Sequence, residues 1–211
     1  MYLSAFAGLA PLVAAAVARR PVSRGRAWVL AWSALLLVES GVDAWLALHH
    51  VRNLWTNYLF SPVANVMVLW ALSCWQVKDV ARLTMRLTIV PLLGGWLLLT
   101  LAFESITSFS RAADPLVYLI ALSAAAYTLI ARSRTATVDL MRQDWLWVSA
   151  GLALYLGTYS MLSPLSALLV GSNPVLLLRA YELQAVLVLA AFASIARGMT
   201  LPLPSAKRAG A

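Results

Sequence analysis

Seven long apolar runs joined by short connectors dominate this sequence: Tyr2–Ala18, Ala27–Leu48, Leu54–Trp75, Leu87–Ser105, Ala112–Ala131, Leu146–Leu168 and Val175–Ala196. A helix needs about 20 mostly apolar residues to cross a bilayer. Barrel strands would instead show alternating segments of about 10 residues. The runs are continuous, so they read as helices. Composition agrees: 62% of the 211 residues are hydrophobic and 11% charged, against about 45–50% and about 25% in soluble domains. A chain this size cannot bury such an excess in a water-soluble core. The expected fold is an all-α integral membrane protein, a seven-transmembrane helix bundle in one domain over residues 1–200. A short cytoplasmic tail is expected over 201–211.

The basic residues set the expected orientation, because cytoplasmic connectors are enriched in Lys and Arg. With the N-terminus outside, the cytoplasmic segments hold Arg19, Arg20, Arg24, Arg26, Lys78, Arg82, Arg86, Arg132, Arg134, Arg142, Arg197, Lys207 and Arg208. The outside keeps Arg52, Arg111 and Arg179. The net charge of +8 is then a topogenic signal with some attraction to anionic headgroups, and no nucleic-acid partner is expected. The expected location is the plasma (inner) membrane. The first run lacks a basic n-region and is followed at once by Arg19-Arg20, so it reads as a retained helix rather than a cleaved signal. Trp28, Trp75, Trp145 and Trp147 at one end and Trp45 and Trp55 at the other form an expected aromatic belt. Trp32, Trp70 and Trp96 lie deeper and read as core. The lone Cys74 reads as a small core residue.

Two stretches resemble each other. Ala18-Arg19, Trp28 and Ser33-Ala34 run from helix one into helix two; Ala131-Arg132, Trp145 and Ser149-Ala150 run from helix five into helix six. They suggest a 3+1+3 parallel repeat with helix four as linker. Pro11, Pro62, Pro91 and Pro164 fall inside runs. Gly94-Gly95, Gly157 and the Ser4/Gly8 pair offer places for close helix approach.

Ionisable groups inside a bilayer are costly, so each is a candidate for function. Glu39 and Asp43 share one face of helix two at i, i+4 spacing. Counted from Ala27 they lie about 18 and about 24 Å along the helix. Trp32 precedes them on the same stripe and His50 follows at about 20° off it. Glu104, Asp114, Arg179 and Glu182 lie toward the same side, with Asn57, Asn65, Tyr159 and Gln184 adding hydrogen-bonding groups. The expected ligand-binding set is Glu39, Asp43, His50, Asn57, Asn65, Glu104, Tyr159, Arg179 and Glu182. The competing expectation is an internal network, with Glu39, Asp43 and Glu182 neutralised by Arg52 and Arg179, locking helices two, three and seven. Asp79, Asp139 and Asp144 are expected to balance local Arg in cytoplasmic loops. No HExxH, paired-Cys or G-x-S-x-G pattern occurs, so no metal, cofactor or catalytic residue is assigned.

The layout resembles SWEET-type sugar transporters in outline, without their Pro-Gln or Pro-Asn signatures. A retinal protein is excluded because the last run holds no Lys. The expected function is binding of a small polar or cationic ligand in an outward-facing pocket, for sensing or uptake. A protein partner or second copy would be needed for signal output. The alternatives are a membrane-embedded lipid hydrolase or transferase using Glu39 and Asp43, and a structural subunit of a membrane complex.

Overall fold

The computed structural model describes residues 6–136, 139–169 and 172–202. It is built from helices: α1 (Leu9–Ala18), α2 (Arg24–Leu48), α3 (Leu54–Cys74), α4 (Asp79–Phe103), α5 (Ala113–Ser133), α6 (Asp144–Leu169) and α7 (Pro174–Thr200). Six of them, α2 to α7, are long and apolar enough to cross a membrane. The described part of α1 spans ten residues, about 15 Å of helix, roughly half a hydrocarbon core. Ser4 of the Ser4/Gly8 pair and the tail residues 203–211 lie outside the described residues.

Local chemistry explains the helix ends. Ser23 caps α2 by accepting from the Arg26 N–H, and Asn173 caps α7 by accepting from the Leu176 N–H, with Pro174 at the first helical position. α2 ends in a Schellman turn. The Val51 N–H reaches back to Leu46 O and the His50 N–H to Ala47 O, which places His50 at φ 55°. α4 is interrupted at Thr88, between segments Asp79–Leu87 and Ile89–Phe103. Pro91 has no N–H for the Leu87 carbonyl and its ring crowds that carbonyl, which breaks the turn there.

The helices pack as a ring in the order α1, α2, α3, α5, α6, α7 and back to α1, while α4 sits outside it against α3 and α5. The closest approach is between α6 and α7. A Cβ on Gly151 would lie 2.6 Å from Ala191 O, and one on Gly198 2.7 Å from Val148 Cγ2. Of the glycines expected at close approaches, Gly8 and Gly95 do sit tightly, a Cβ there lying 3.1 Å from Ser33 O and 3.2 Å from Leu116 Cδ2, whereas Gly94 has open space and Gly157 only ordinary contact with Leu122. The core inside the ring holds Trp32, Val68, Leu72, Trp145, Leu152 and Ile195. The outer surface is apolar too: Val38 and Leu48 on α2, Val90, Leu98 and Leu101 on α4, and Leu178 and Val186 on α7 are exposed. An apolar interior inside an apolar exterior fits a bundle solvated by lipid, and the chain is a membrane protein of helical class.

Two expectations about the basic end change. Trp75 and Trp145 are core residues rather than belt residues: Trp75 packs on Gly25 and Trp145 lies under the Arg132 guanidinium. Asp144 does not balance a local Arg. It is buried and accepts from Arg26 Nε at 2.9 Å, 118 residues away. Arg26 is 2% exposed and also donates to the carbonyls of Met199 and Leu201. One ion pair therefore ties the first turns of α2 and α6 to the last turn of α7. Asp79 and Asp139 do pair locally, with Arg82 and Arg142.

Candidate functional site

At the opposite end the ring opens into a cavity of about 600 Å³. α2 contributes Leu36, Glu39, Ser40 and Asp43; the start of α3 contributes Asn53, Thr56 and Asn57. Tyr118 comes from α5, Tyr155 and Tyr159 from α6, and Tyr181, Gln184, Val188 and Phe192 from α7. Each set obeys helical periodicity, which brings i, i+3/i+4 and i+7 to one face.

Glu39 and Asp43 are half-buried. Asp43 accepts a hydrogen bond from Thr56 Oγ1 at 2.6 Å. Glu39 makes no hydrogen bond or ion pair among the described residues. No Lys, Arg or His is among the described residues that line the cavity. Behind the wall lies a third acid. Asp114 is fully buried, accepts from Asn57 Nδ2 and leaves Oδ1 without a partner. Asn57 thus connects the cavity surface to a carboxylate behind it.

The floor is aromatic. Trp32 stacks on Phe192 with ring centres 5.5 Å apart and meets Tyr155 edge-on at 5.1 Å. Tyr155 and Tyr159 are 4.5 Å apart, and Tyr159 and Tyr118 5.6 Å apart. A side chamber of about 140 Å³ continues under the α4–α5 loop, lined by Tyr58, Ser108, Ser110 and Ser163 and sharing Asn57, Phe109, Tyr118 and Gln184 with the main cavity. Tyr58 and Ser163 donate to the carbonyls of Ser108 and Ser110, which fastens that loop to α3 and α6.

Of the residues expected to bind ligand, Glu39, Asp43, Asn57 and Tyr159 converge on the cavity. Asn65 is buried deeper in α3, where Nδ2 donates to Ser61 O and Oδ1 has no partner. His50 is exposed in the turn after α2. Arg179 and Glu182 pair with each other at 3.0 Å on the exposed face of α7, two and one residues from Tyr181 respectively and therefore on other faces of the helix. Glu104 caps α5: its carboxylate accepts from the N–H groups of Arg111, Ala112 and Ala113 and from Ser110 Oγ. Partial burial pushes the Glu104 carboxyl up, but those donors outweigh it and hold it below its ordinary value of 4.5. Of the competing internal network only the Arg179–Glu182 pair forms among the described residues, and Glu39 and Asp43 have no basic partner there. Arg179 is taken by Glu182 and Arg52 is exposed with no acid partner among the described residues.

Tyr118, Tyr155, Tyr181 and Phe192 were not singled out from sequence. The Tyr155/Tyr159 and Tyr181/Gln184/Val188 spacings carry the signal, but spacing alone does not say which face of a membrane helix looks inward. Among the described residues no three His, Cys, Asp or Glu side chains cluster closely enough to hold a metal ion. No protein-family model, no curated protein and no solved structure matches this chain.

Proposed function

We propose that this chain binds a small organic cation in an outward-facing cavity of a plasma (inner) membrane protein, serving its uptake or sensing. One observation carries the reading: a cavity of about 600 Å³ presents Glu39 and Asp43 with no basic residue among its described lining. Carboxylates placed in a low-dielectric bundle are costly unless something cationic pairs with them. No basic residue of the described lining pairs with them, so the ionised form of either acid would be stabilised by a cation that enters from outside. The tyrosine and phenylalanine lining suits such a ligand, because aromatic faces attract an ammonium or guanidinium group.

The orientation follows from charge. Arg24, Lys78, Arg134 and Arg197 sit at the end opposite the cavity, and the positive-inside tendency puts that end in the cytoplasm. α1 supplies a seventh span, with the N-terminus outside. The ring order, with α4 excluded, fits a 3+1+3 repeat: α1–α2–α3 and α5–α6–α7 are joined at α3/α5 and α7/α1. Beneath the cavity the Arg26–Asp144 pair and the Trp145, Leu152 and Ile195 core fill the ring among the described residues.

The test is a thermal-shift screen of the purified protein with amines, quaternary ammonium compounds and guanidines, beside Glu39→Gln and Asp43→Asn. A bound cation at one hundred times its dissociation constant stabilises the parent by about 2.7 kcal/mol, and that gain is expected to shrink in both variants. The proposal fails if cations stabilise the variants as much as the parent, or if only anionic or uncharged compounds bind in a way that depends on Glu39 and Asp43.

A further inference from the structure

A second groove lies on the outside of the ring at the basic end, where α4 leans on α3 and α5. One part, about 280 Å³, is lined by Gln76, Lys78, Arg132, Arg134 and Thr135. The other, about 440 Å³, is lined by Leu69, Met85, Ile120, Ser123 and Ala124. Ala81 and Tyr127 line both, so the two parts form one continuous groove that is cationic at one end and apolar at the other.

Among the described residues the charges in the cationic part have no counter-ion. Its described lining holds three basic residues and no carboxylate. The nearest acids in sequence are already paired: Asp79 with Arg82, Asp139 with Arg142, and Asp144 with Arg26. Arg132 lies over the face of Trp145, 5.4 Å from the ring centre, and its buried Nε has no acceptor among the described residues. A buried guanidinium N–H without a partner is uncommon, and the arrangement holds the group in place for an anion. The apolar part lies beside the first segment of α4. From Lys78 to Thr88 the helix rises about 15 Å, which is about the depth of one hydrocarbon leaflet. Exposed Val80, Leu83 and Leu87 give this segment of α4 an apolar outer surface beside the groove, of the kind lipid covers.

We propose that this groove holds one anionic glycerophospholipid, with its phosphate among Lys78, Arg132 and Arg134 and one acyl chain along α4 against Leu69, Met85 and Ile120. Basic pockets between transmembrane helices recognise anionic headgroups in this way. The length and apolarity of the inner part select a lipid over free phosphate.

The experiment is native mass spectrometry of the purified protein titrated with phosphatidylglycerol, with phosphatidylcholine of identical chains, and with inorganic phosphate. Phosphatidylglycerol is expected to bind at least about tenfold more tightly than phosphatidylcholine. That preference should vanish in Lys78→Gln/Arg132→Gln/Arg134→Gln. It should persist in Arg20→Gln/Arg24→Gln/Arg197→Gln, which removes equal charge elsewhere. Ser123→Trp, entering the apolar part from its exposed rim, should weaken binding of both lipids. Arg134→Gln alone, at an exposed position, should show a partial loss without loss of fold. Equal binding of the two lipids, equal losses in the two triple variants, or displacement of the lipid by inorganic phosphate would overturn the proposal.

Discussion

Replacing Arg26 by Met keeps a long, flexible side chain but removes the guanidinium that holds three helices together at the basic end. The carboxylate of Asp144, 4% exposed, then retains only the hydrogen bond from the Trp145 N–H, and the carbonyls of Met199 and Leu201 lose their donors. Breaking one side of a buried ion pair costs about 3–5 kcal/mol, because the remaining charge is left without compensation. The unfolding equilibrium of Arg26→Met should therefore shift by roughly two to three and a half orders of magnitude. Removing both partners is less harmful. In Arg26→Met/Asp144→Leu no charge is stranded, and the remaining loss is about 1–2 kcal/mol from the helix start and the two carbonyls. Equilibrium unfolding by SDS titration in mixed micelles, followed by tryptophan fluorescence, measures all the variants in one format. Trp145 is adjacent to Asp144 and reports on the same end of the bundle. A loss below about 1 kcal/mol in the single variant, or a double variant no more stable than the single one, would refute the claim that a buried charge pair organises this end.

Other substitutions test the packing and the caps. Gly151→Ala should cost about 1–3 kcal/mol, since its Cβ would meet Ala191 O and Ile195 Cγ1 at 2.6 Å; Gly94→Ala, with nothing within 4 Å, should be neutral or stabilising by up to about 1 kcal/mol, and SDS titration of both reads the contrast. His50→Gly should raise stability by about 0.5–1 kcal/mol, because it relieves a left-handed residue in the Schellman turn; ligand binding should be unchanged, and a clear loss of thermal stability would contradict that account. Glu104 has a carboxyl held below its ordinary 4.5, so its stabilising contribution is fully present above that value and is lost as pH falls through the lower folded value. Melting curves of Glu104→Gln should lack that acid-side decline, and an identical decline in parent and variant would assign it to other groups.

The helices and the acid pair were legible from sequence because both are local properties. A run of about 20 apolar residues specifies a spanning segment whatever its neighbours, and i, i+4 spacing puts Glu39 and Asp43 on one face of any helix. Extending the helix count puts His50 on the same stripe, but α2 ends at Leu48 and the Schellman turn carries His50 away. Arg179 and Glu182 drew attention by their charge, yet they occupy the exposed side of α7 while Tyr181 and Gln184 face inward. In a water-soluble protein polarity tells which side of a helix faces out. Here nearly every side is apolar, so that guide is weak.

By itself the sequence determined an apolar helical chain with most of its basic residues toward one end, because hydropathy and charge act segment by segment. Tertiary structure decided which faces turn inward, that α4 stands outside the ring, and that Arg26 finds Asp144 across 118 residues. It also decided that Glu39 and Asp43 meet tyrosines rather than arginines. Those outcomes depend on contacts between distant segments, and in a uniformly apolar chain neither periodicity nor composition encodes which segments will meet.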